Sequence, residues 1–282
     1  MSVKTSSFSF TLATYNIEFC RHPHLIVQNI FDLSKKGVNI FCLQEVIPNS
    51  KKEFIINKIL EKLGNDWEAA WSIGEKADIT GLGTAILWNK KMFKQIEIDK
   101  LVLPKLEKVL PHENVFSLAN GYPGIVILRR ALVVTFMLGD KKIRVSSVHA
   151  DVLGGPRHRK KQMQYLLDYL AKKSKVDVAV VSGDFNTIDL SGRGEEQAYL
   201  SKLFGKYKFT DVTKDIEWSH DVYQASFGKD NLLVEKIIKG LNVHIRKKLD
   251  YIWSQGLKGV EAKRVDMSGS DHFPLLVKLK IL

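Results

Sequence analysis

Acids, amides and histidines recur in this sequence at the ends of short apolar runs, where β-strands would stop. They fall in the segments YNIE, LQEV, VHAD, SGDFN, LDYIW and SDHFP, which carry Asn16, Glu18, Glu45, His149, Asp184, Asn186, Asp250, Asp271 and His272. Polar groups beside a buried core need hydrogen-bond partners or a bound ion. Six such places in one chain therefore indicate one shared site at one edge of the fold.

The residue types in this set favour a hard divalent cation. Carboxylate and amide oxygens suit Mg²⁺, Mn²⁺ or Ca²⁺, whereas zinc prefers Cys and His. His149 and His272 could transfer protons or stabilise charge, and the guanidinium of Arg130 matches phosphate geometry. Together these groups fit phosphoryl chemistry, in which cations offset charge on phosphorus oxygens while a carboxylate positions water.

Short strands and helical patterns must position these residues. Runs rich in Val, Ile and aromatics predict strands at Phe8–Ile17, Val38–Glu45, Thr84–Trp88, Leu132–Leu138, Ile143–His149, Val176–Ser182, Tyr251–Ser254 and Leu275–Leu279. Apolar spacing predicts helices around Val27–Ser34, Ile56–Leu63, Met163–Leu170 and Tyr199–Phe204. Many strands with few helices indicate an α+β fold with a β-sandwich core, not a doubly wound parallel sheet.

Length and composition set broader limits. A chain of 282 residues predicts one large domain, and no apolar run approaches the length of a membrane span. The first twenty residues lack the apolar block of a signal peptide. The two cysteines, Cys20 and Cys42, form no disulfide framework, so we expect reduced thiols in a cytoplasmic protein. We also expect a monomer.

The chain is strongly basic, with 43 Lys and Arg against 31 Asp and Glu and a net charge of +12. Such a surface favours nucleic acid, anionic lipid or phosphorylated ligands, although basic charge can also serve solubility alone. The segment GGPRHRKKQM places Arg157 and Arg159 at a predicted helix start, where a phosphate backbone could bind. The basic stretch Lys236–Lys248 is a second candidate, and both could equally be solvated faces.

The ordered series YNIE, LQEV, RRALVVTF, VHAD, SGDFN, LDYIW and SDHFP resembles the endonuclease/exonuclease/phosphatase superfamily. Its members include deoxyribonuclease I, apurinic endonucleases, tyrosyl-DNA phosphodiesterases, neutral sphingomyelinases and inositol-polyphosphate 5-phosphatases. The resemblance runs from Thr14 to Leu279. It implies a four-layer α/β/β/α sandwich, as one domain over residues 1–282, and a phosphoric ester hydrolase that uses Mg²⁺ or Mn²⁺.

The resemblance also implies a metal site. Glu45 matches the principal metal ligand, and Asn16 matches the amide that supports it. Glu18 falls where several nucleases of the superfamily carry an acid that helps to hold the metal. Asp271 matches a ligand of the metal or of its water network.

The catalytic roles follow from the same resemblance. Asp184 would orient and activate the attacking water, and Asn186 would donate to a phosphate oxygen. Asp250 would hold His272, which would stabilise pentacovalent phosphorus or protonate. His149 matches the second histidine of deoxyribonuclease-like members. Its acidic partner is missing from the corresponding segment, ITGLGTAILW.

Substrate contacts are expected from three arginines. Arg130 matches a phosphate-contacting arginine, with its neighbour Arg129 facing the other way, and Arg157 and Arg159 would bind the substrate. Plainer interpretations exist: a tight turn for GDFN, a core residue for His149 and a surface charge for Arg130.

Three functions remain open on the sequence. The first is a metal-dependent nuclease or phosphodiesterase that acts on DNA or RNA, with DNA favoured over RNA. LQEVIPN points to the tyrosyl-DNA phosphodiesterase branch, although VHAD departs from that branch's SHLE. The second is a phosphatase or phosphodiesterase on inositol phosphates or phospholipid head groups, as in sphingomyelinases. The third is a binding scaffold without catalysis, which the complete set of acids and histidines disfavours.

Overall fold

The computed structural model describes residues 8–47, 54–73, 82–107, 128–188, 194–225 and 232–281. The strands are β1 Ser9–Asn16, β2 Val38–Val46, β3 Trp67–Ser72, β4 Gly83–Asn89, β5 Lys94–Val102, β6 Arg130–Leu138, β7 Lys141–His149, β8 Val178–Asp184, β9 Thr210–Asp211, β10 His220–Asp221, β11 Arg246–Lys247, β12 Asp250–Gln255, β13 Leu257–Arg264 and β14 Leu275–Ile281. The helices are α1 Pro23–Lys35, α2 Ile55–Leu63, α3 Gly155–Lys172, α4 Glu195–Lys206 and α5 Leu232–Gly240.

The strands form two six-stranded mixed sheets. The first has the order β13-β14-β1-β2-β4-β3 and the second the order β5-β6-β7-β8-β12-β9, while β10 and β11 pair separately. β1 runs parallel to β2 and β7 runs parallel to β8, and the other pairs are antiparallel. The carboxyl ends of β1 and β2 therefore lie together in the first sheet, and those of β7 and β8 lie together in the second.

Apolar side chains fill the space between the sheets and cover both outer faces. In β6, Leu132 and Val134 face the apolar core between the two sheets. Ala131 and Val133 face the opposite way, toward helices α3 and α4. Helices α1 and α2 cover the other outer face. This alternation gives the predicted four-layer α/β/β/α sandwich, because each strand residue points opposite to the next.

The predicted helices are present, and the clearest is α3. Its residues Met163, Leu166, Leu167 and Leu170 are buried at the spacing of one helix face. The segment after Gly154 can start this helix because Pro156 lies in the first turn, where a missing N–H costs nothing. None of the described helices has the length and apolarity needed to cross a bilayer.

Strands β3, β5 and β13 were not predicted from the sequence. Each lies at an edge of its sheet, and β5 and β13 are largely exposed. An edge strand can carry charged residues such as those in KQIEIDKLV, so it lacks the apolar run that reveals a central strand.

Candidate active site

Six strand ends bring the polar motifs together. Asn16 ends β1 and pairs in register with Gln44 of β2, while Asp184 pairs with both His149 of β7 and Asp250 of β12. Hydrogen bonds between side chains join the two sheets here. Asn16 Nδ2 donates to Asp184 Oδ2 at 2.9 Å, and Gln44 Nε2 donates to Ser147 Oγ at 3.2 Å.

The SGDFN segment is a strand end with a specific backbone. Gly183 has φ of 147°, and a Cβ there would lie 1.9 Å from the carbonyl oxygen of Val148. A glycine is therefore required for β7 and β8 to pair this closely. Asn186 has φ of 49°, and its Nδ2 donates to the carbonyl of Ala150 at 2.9 Å. Its N–H donates to Asp184 Oδ1 at 2.8 Å, which fixes that carboxylate.

Asp250 and His272 form a buried dyad. Oδ2 of Asp250 lies 2.7 Å from Nδ1 of His272 and accepts a second hydrogen bond from Ser219 Oγ at 2.7 Å. The backbone of His272 is held as well, because its N–H donates to Ser270 Oγ, which in turn donates to the carbonyl of Asn16. The second ring nitrogen of His272, Nε2, lies 3.8 Å from Oδ2 of Asp184.

The surroundings of His272 favour the protonated, positively charged form of its imidazole. Burial alone would lower the pKa of this imidazole, but the carboxylates of Asp250 and Asp184 raise that pKa well above its usual value. The protonated ring can donate from Nε2 into the site while Nδ1 donates to Asp250. His272 is thus prepared to stabilise negative charge or to deliver a proton.

Glu45 lies at an irregular point of β2. The strand register shifts between Gln44 and Val46, and Glu45 takes a left-handed backbone with φ of 59°. Its Oε2 accepts from the N–H of Phe19 at 3.1 Å. Burial, with the nearby Asp271 carboxylate, raises the pKa of Glu45 to about 7. A carboxyl group with this pKa lacks a neighbouring cation strong enough to offset its burial.

Glu18 sits in a strained turn directly after β1. Residues Glu18, Phe19 and Cys20 all have positive φ, between 44° and 55°. The N–H of Glu18 donates to Asn16 Oδ1 at 3.1 Å, and its buried carboxylate lies 3.9 Å from the Nε of Arg21. Such strain is retained only where the surrounding structure demands it, and it is common at functional sites.

The acids fit a divalent cation. Glu18, Glu45 and Asp271 supply carboxylate oxygens, and Asn16 supplies an amide, which is the hard donor set that Mg²⁺ or Mn²⁺ takes. Burial also raises the pKa of Asp184 to about 6, with Asp250 adding to the effect. A bound cation would lower the cost of keeping these carboxylates ionised. Among the described residues, ligand atoms lie within 4.8 Å of one another in two groups of three side chains: Asp184, Asp250 and His272, and His220, Asp271 and His272.

The expectation that Arg129 faces away from the site is wrong. Its Nη1 lies 3.0 Å and 3.3 Å from the two ring nitrogens of His149, and its Nε donates to Asp151 Oδ1 at 3.0 Å. Arg129 precedes β6, so strand alternation does not fix its side. Arg130 begins β6 opposite Val102, and its buried Nε has no hydrogen-bond partner in the described part of the chain.

The two arginines of α3 have different surroundings. Arg159 is buried and makes a bidentate pair with Glu196, with Nε–Oε1 at 2.6 Å and Nη2–Oε2 at 2.8 Å. Its Nη1 donates to the carbonyls of Asp151 and Val152. The expected substrate role of Arg159 is therefore wrong, because its guanidinium is already engaged by the protein. Arg157 is exposed and remains open to a ligand.

His149 lies across the site from His272. Its Nε2 is 3.5 Å from Asp184 Oδ2 and 3.9 Å from Glu45 Oε1. Burial lowers the pKa of this imidazole well below its usual value, and the positive charges of Arg129 and His272 lower it further. His149 is thus a neutral imidazole directed at the same carboxylate that faces the His272 cation.

Three further residues take part in this site without a role predicted from the sequence. Ser219 bonds to Asp250, His220 bonds to Asp271, and Asp151 holds Arg129. Asp151 stands in VHAD among the polar residues that follow the strands, but no role was assigned to it from the sequence. No periodic signal marks Ser219 and His220, because β10 has only two residues.

The fold recurs in proteins of known structure. No family model matches this sequence, and no curated protein matches it. An endonuclease/exonuclease/phosphatase protein from Bacteroides vulgatus superposes with a TM-score of 0.70 at 15% identity, over 98% of this chain and 100% of the other. TDP2 from D. rerio, in complex with a single-strand DNA product, gives 0.69 at 15% identity, over 96% and 98%. ANGEL2, a 2′,3′-cyclic phosphatase, gives 0.62 at 16% identity, over 98% and 96%.

These similarities establish the architecture. The chain has the α/β sandwich fold of endonuclease/exonuclease/phosphatase proteins over nearly its whole length, as the ordered motifs led us to expect.

Proposed function

We propose that this protein is a divalent-metal-dependent phosphodiesterase that hydrolyses phosphodiester bonds of nucleic acid. One observation carries the proposal. The Asp184 carboxylate lies between His272, which the neighbouring acids keep protonated, and His149, which is neutral. A pair of imidazoles in opposite charge states around one carboxylate is an arrangement for acid–base chemistry.

Each side chain then has a role in hydrolysis. Asp184, whose pKa is raised to about 6, orients and activates the attacking water. Asn186 donates a hydrogen bond to a phosphate oxygen, and His272 stabilises charge that develops on the phosphorus oxygens or protonates the leaving group. Asp250 keeps that imidazole protonated and oriented. The amide of Asn16, at the end of β1, donates a hydrogen bond to Asp184 Oδ2 and so helps to orient that carboxylate.

A divalent ion held by Glu45, with Asn16, Glu18 and Asp271, would supply Lewis-acid stabilisation of the phosphate. The oxygen donors and the raised pKa of Glu45, about 7, support this assignment. Mg²⁺ and Mn²⁺ are the proposed ions, since both take carboxylate and amide oxygens.

Two observations favour nucleic acid as the substrate. The net charge of +12 favours a polyanion, and phosphate contacts supply most of the affinity in such complexes. TDP2, which shares the fold, was solved with a single-strand DNA product. DNA is accordingly placed ahead of RNA. The single domain over residues 1–282, the monomeric state and the cytoplasmic location stay predictions.

The same catalytic groups would serve a phosphatase or phosphodiesterase on inositol phosphates or phospholipid head groups. A substrate panel separates the possibilities. Single-stranded DNA, single-stranded RNA, a 5′-tyrosyl oligonucleotide, a 2′,3′-cyclic phosphate end, sphingomyelin and an inositol phosphate are each incubated with Mg²⁺, Mn²⁺ or EDTA. Cleavage of a nucleic acid that EDTA abolishes supports the proposal. Hydrolysis of the lipid or inositol substrate alone would replace it, and no hydrolysis with either metal would contradict it.

A further inference from the structure

His220 contacts both members of the Asp271–His272 pair. Its Nε2 lies 3.2 Å from Oδ2 of Asp271, and its ring meets that of His272 edge-to-face with the centroids 4.8 Å apart. The side chain of His220 is only 14% exposed. No role in the proposed hydrolysis requires it, so its position beside the site calls for a separate explanation.

The backbone holds His220 in register with these two residues. His220 forms an isolated antiparallel bridge with His272, the N–H of Asp221 donates to the carbonyl of Asp271 at 2.9 Å, and the N–H of Phe273 donates to the carbonyl of Ser219 at 2.7 Å. The two segments are thus tied on either side of the contact, which holds the backbone of His220 beside Asp271 and His272.

The direction of the hydrogen bond follows from what surrounds the ring. Nδ1 of His220 is buried and has no hydrogen-bond partner in the described part of the chain, whereas Nε2 faces a carboxylate oxygen. A carboxylate accepts, so Nε2 carries the proton and donates. This bond fixes the rotation of the Asp271 carboxyl group, and with it the direction of the second oxygen, Oδ1.

We propose that His220 is a positioning residue for the metal site: its Nε2–H orients the Asp271 carboxylate so that the carboxylate can bind the divalent ion. The inference rests on the proposed function, in which Asp271 is a metal ligand. Ligating carboxylates are commonly held by such outer hydrogen bonds, and loss of one costs about 10–100-fold in metal affinity. In this role His220 acts through Asp271.

Three variants separate the hydrogen bond from the packing. His220→Gln places an amide N–H near the position of Nε2 and keeps the donor. His220→Phe keeps an aromatic ring against His272 and removes the donor. His220→Asn carries an amide that is too short to reach Asp271 and serves as a second donor-less variant if the Phe protein does not fold.

Mn²⁺ binding to the purified protein, without substrate, is the readout. The amount of free Mn²⁺ is followed by electron paramagnetic resonance, and thermal unfolding in EDTA reports on the fold. We expect His220→Phe and His220→Asn to weaken the Kd for Mn²⁺ by about 10–100-fold, and His220→Gln to remain within about threefold of wild type. A donor-less variant that folds and binds Mn²⁺ as tightly as wild type would overturn the inference.

Glu45→Gln is the control for the metal site itself. If this variant loses Mn²⁺ binding while His220→Phe does not, the site stands and only the role of His220 fails. If Glu45→Gln binds Mn²⁺ like wild type, the proposed metal site fails and the inference about His220 fails with it.

Discussion

Arg129 lies against the imidazole of His149. Its Nη1 is nearly equidistant from the two ring nitrogens, at 3.0 Å and 3.3 Å, so the cation lies over the ring and not along one nitrogen lone pair. Asp151 holds this guanidinium through Nε, and His158 and Gln162 hold Asp151. Both histidines of the site therefore face the Asp184 carboxylate, but His149 also has a guanidinium against its ring, whereas His272 has the carboxylate of Asp250.

The first prediction concerns this cation. Replacing Arg129 with Met removes the positive charge but keeps much of the length, so the pKa of His149 should rise toward its ordinary value of about 6.5. Burial will keep the pKa below that value, because burial is the larger cause of the depression. Arg129→Lys retains the charge and should leave the pKa low. Titration of the His149 ring protons by NMR measures both, and an unchanged pKa in Arg129→Met would contradict the argument.

The second prediction concerns the dyad. Asp250→Asn removes the charge that keeps His272 protonated, so the pKa of His272 should fall and kcat should drop by about 10²–10⁴-fold. Ser219→Ala is the matched control, because it removes the other hydrogen bond to the same Oδ2 and leaves the charge. We expect less than tenfold loss there. Comparable losses in both variants would mean that the position of the side chain at 250, which Ser219 helps to hold, and not its charge, is what the rate requires.

The third prediction is a pH dependence of stability in EDTA. The pKa of Glu45 is raised to about 7 in the folded protein, so the folded state binds more protons than the unfolded state between about pH 4.5 and 7. The free energy of unfolding should therefore be highest below this range and fall as the pH rises through it. The loss is on the order of 3 kcal/mol for a shift of this size. Asp184, raised to about 6, acts in the same direction.

Glu45→Gln is the test of that dependence. The amide does not titrate, so urea unfolding at several pH values should show a flatter profile for the variant than for wild type. Saturating Mg²⁺ should also restore the stability that the wild-type protein loses in EDTA near pH 7, because a bound cation favours the ionised carboxylate. A wild-type profile that is flat between pH 4.5 and 7 in EDTA would contradict the raised pKa.

The central strands and the dyad could be predicted from sequence, and the reasons differ. Central strands such as β8 are buried on both faces, so VAVVSGD reads as an apolar run. The pairing of Asp250 with His272 was implied by the superfamily motifs, and the 2.7 Å contact agrees with it. The orientation of Arg129 could not be predicted, because it depends on where β6 begins and on Asp151. His220 was missed since a two-residue strand has no periodicity.

The last prediction tests the two arginines that sequence alone could not tell apart. Arg159 is buried in a bidentate pair with Glu196, so Arg159→Ala leaves a buried carboxylate without its partner and should cost about 3–5 kcal/mol of stability. Arg157 is exposed two residues earlier, so Arg157→Ala should change the free energy of unfolding by less than about 0.5 kcal/mol.

The kinetic consequences of these two changes should be the reverse. If the start of α3 contacts a nucleic-acid backbone, Arg157→Ala should raise KM and reduce its salt dependence, because one phosphate contact is lost. In Arg159→Ala, the fraction of protein that folds should have a KM close to that of wild type. Urea unfolding and steady-state kinetics at two salt concentrations measure both arms. An unchanged KM in Arg157→Ala would remove this helix from the substrate surface, and an undiminished stability in Arg159→Ala would contradict the buried ion pair.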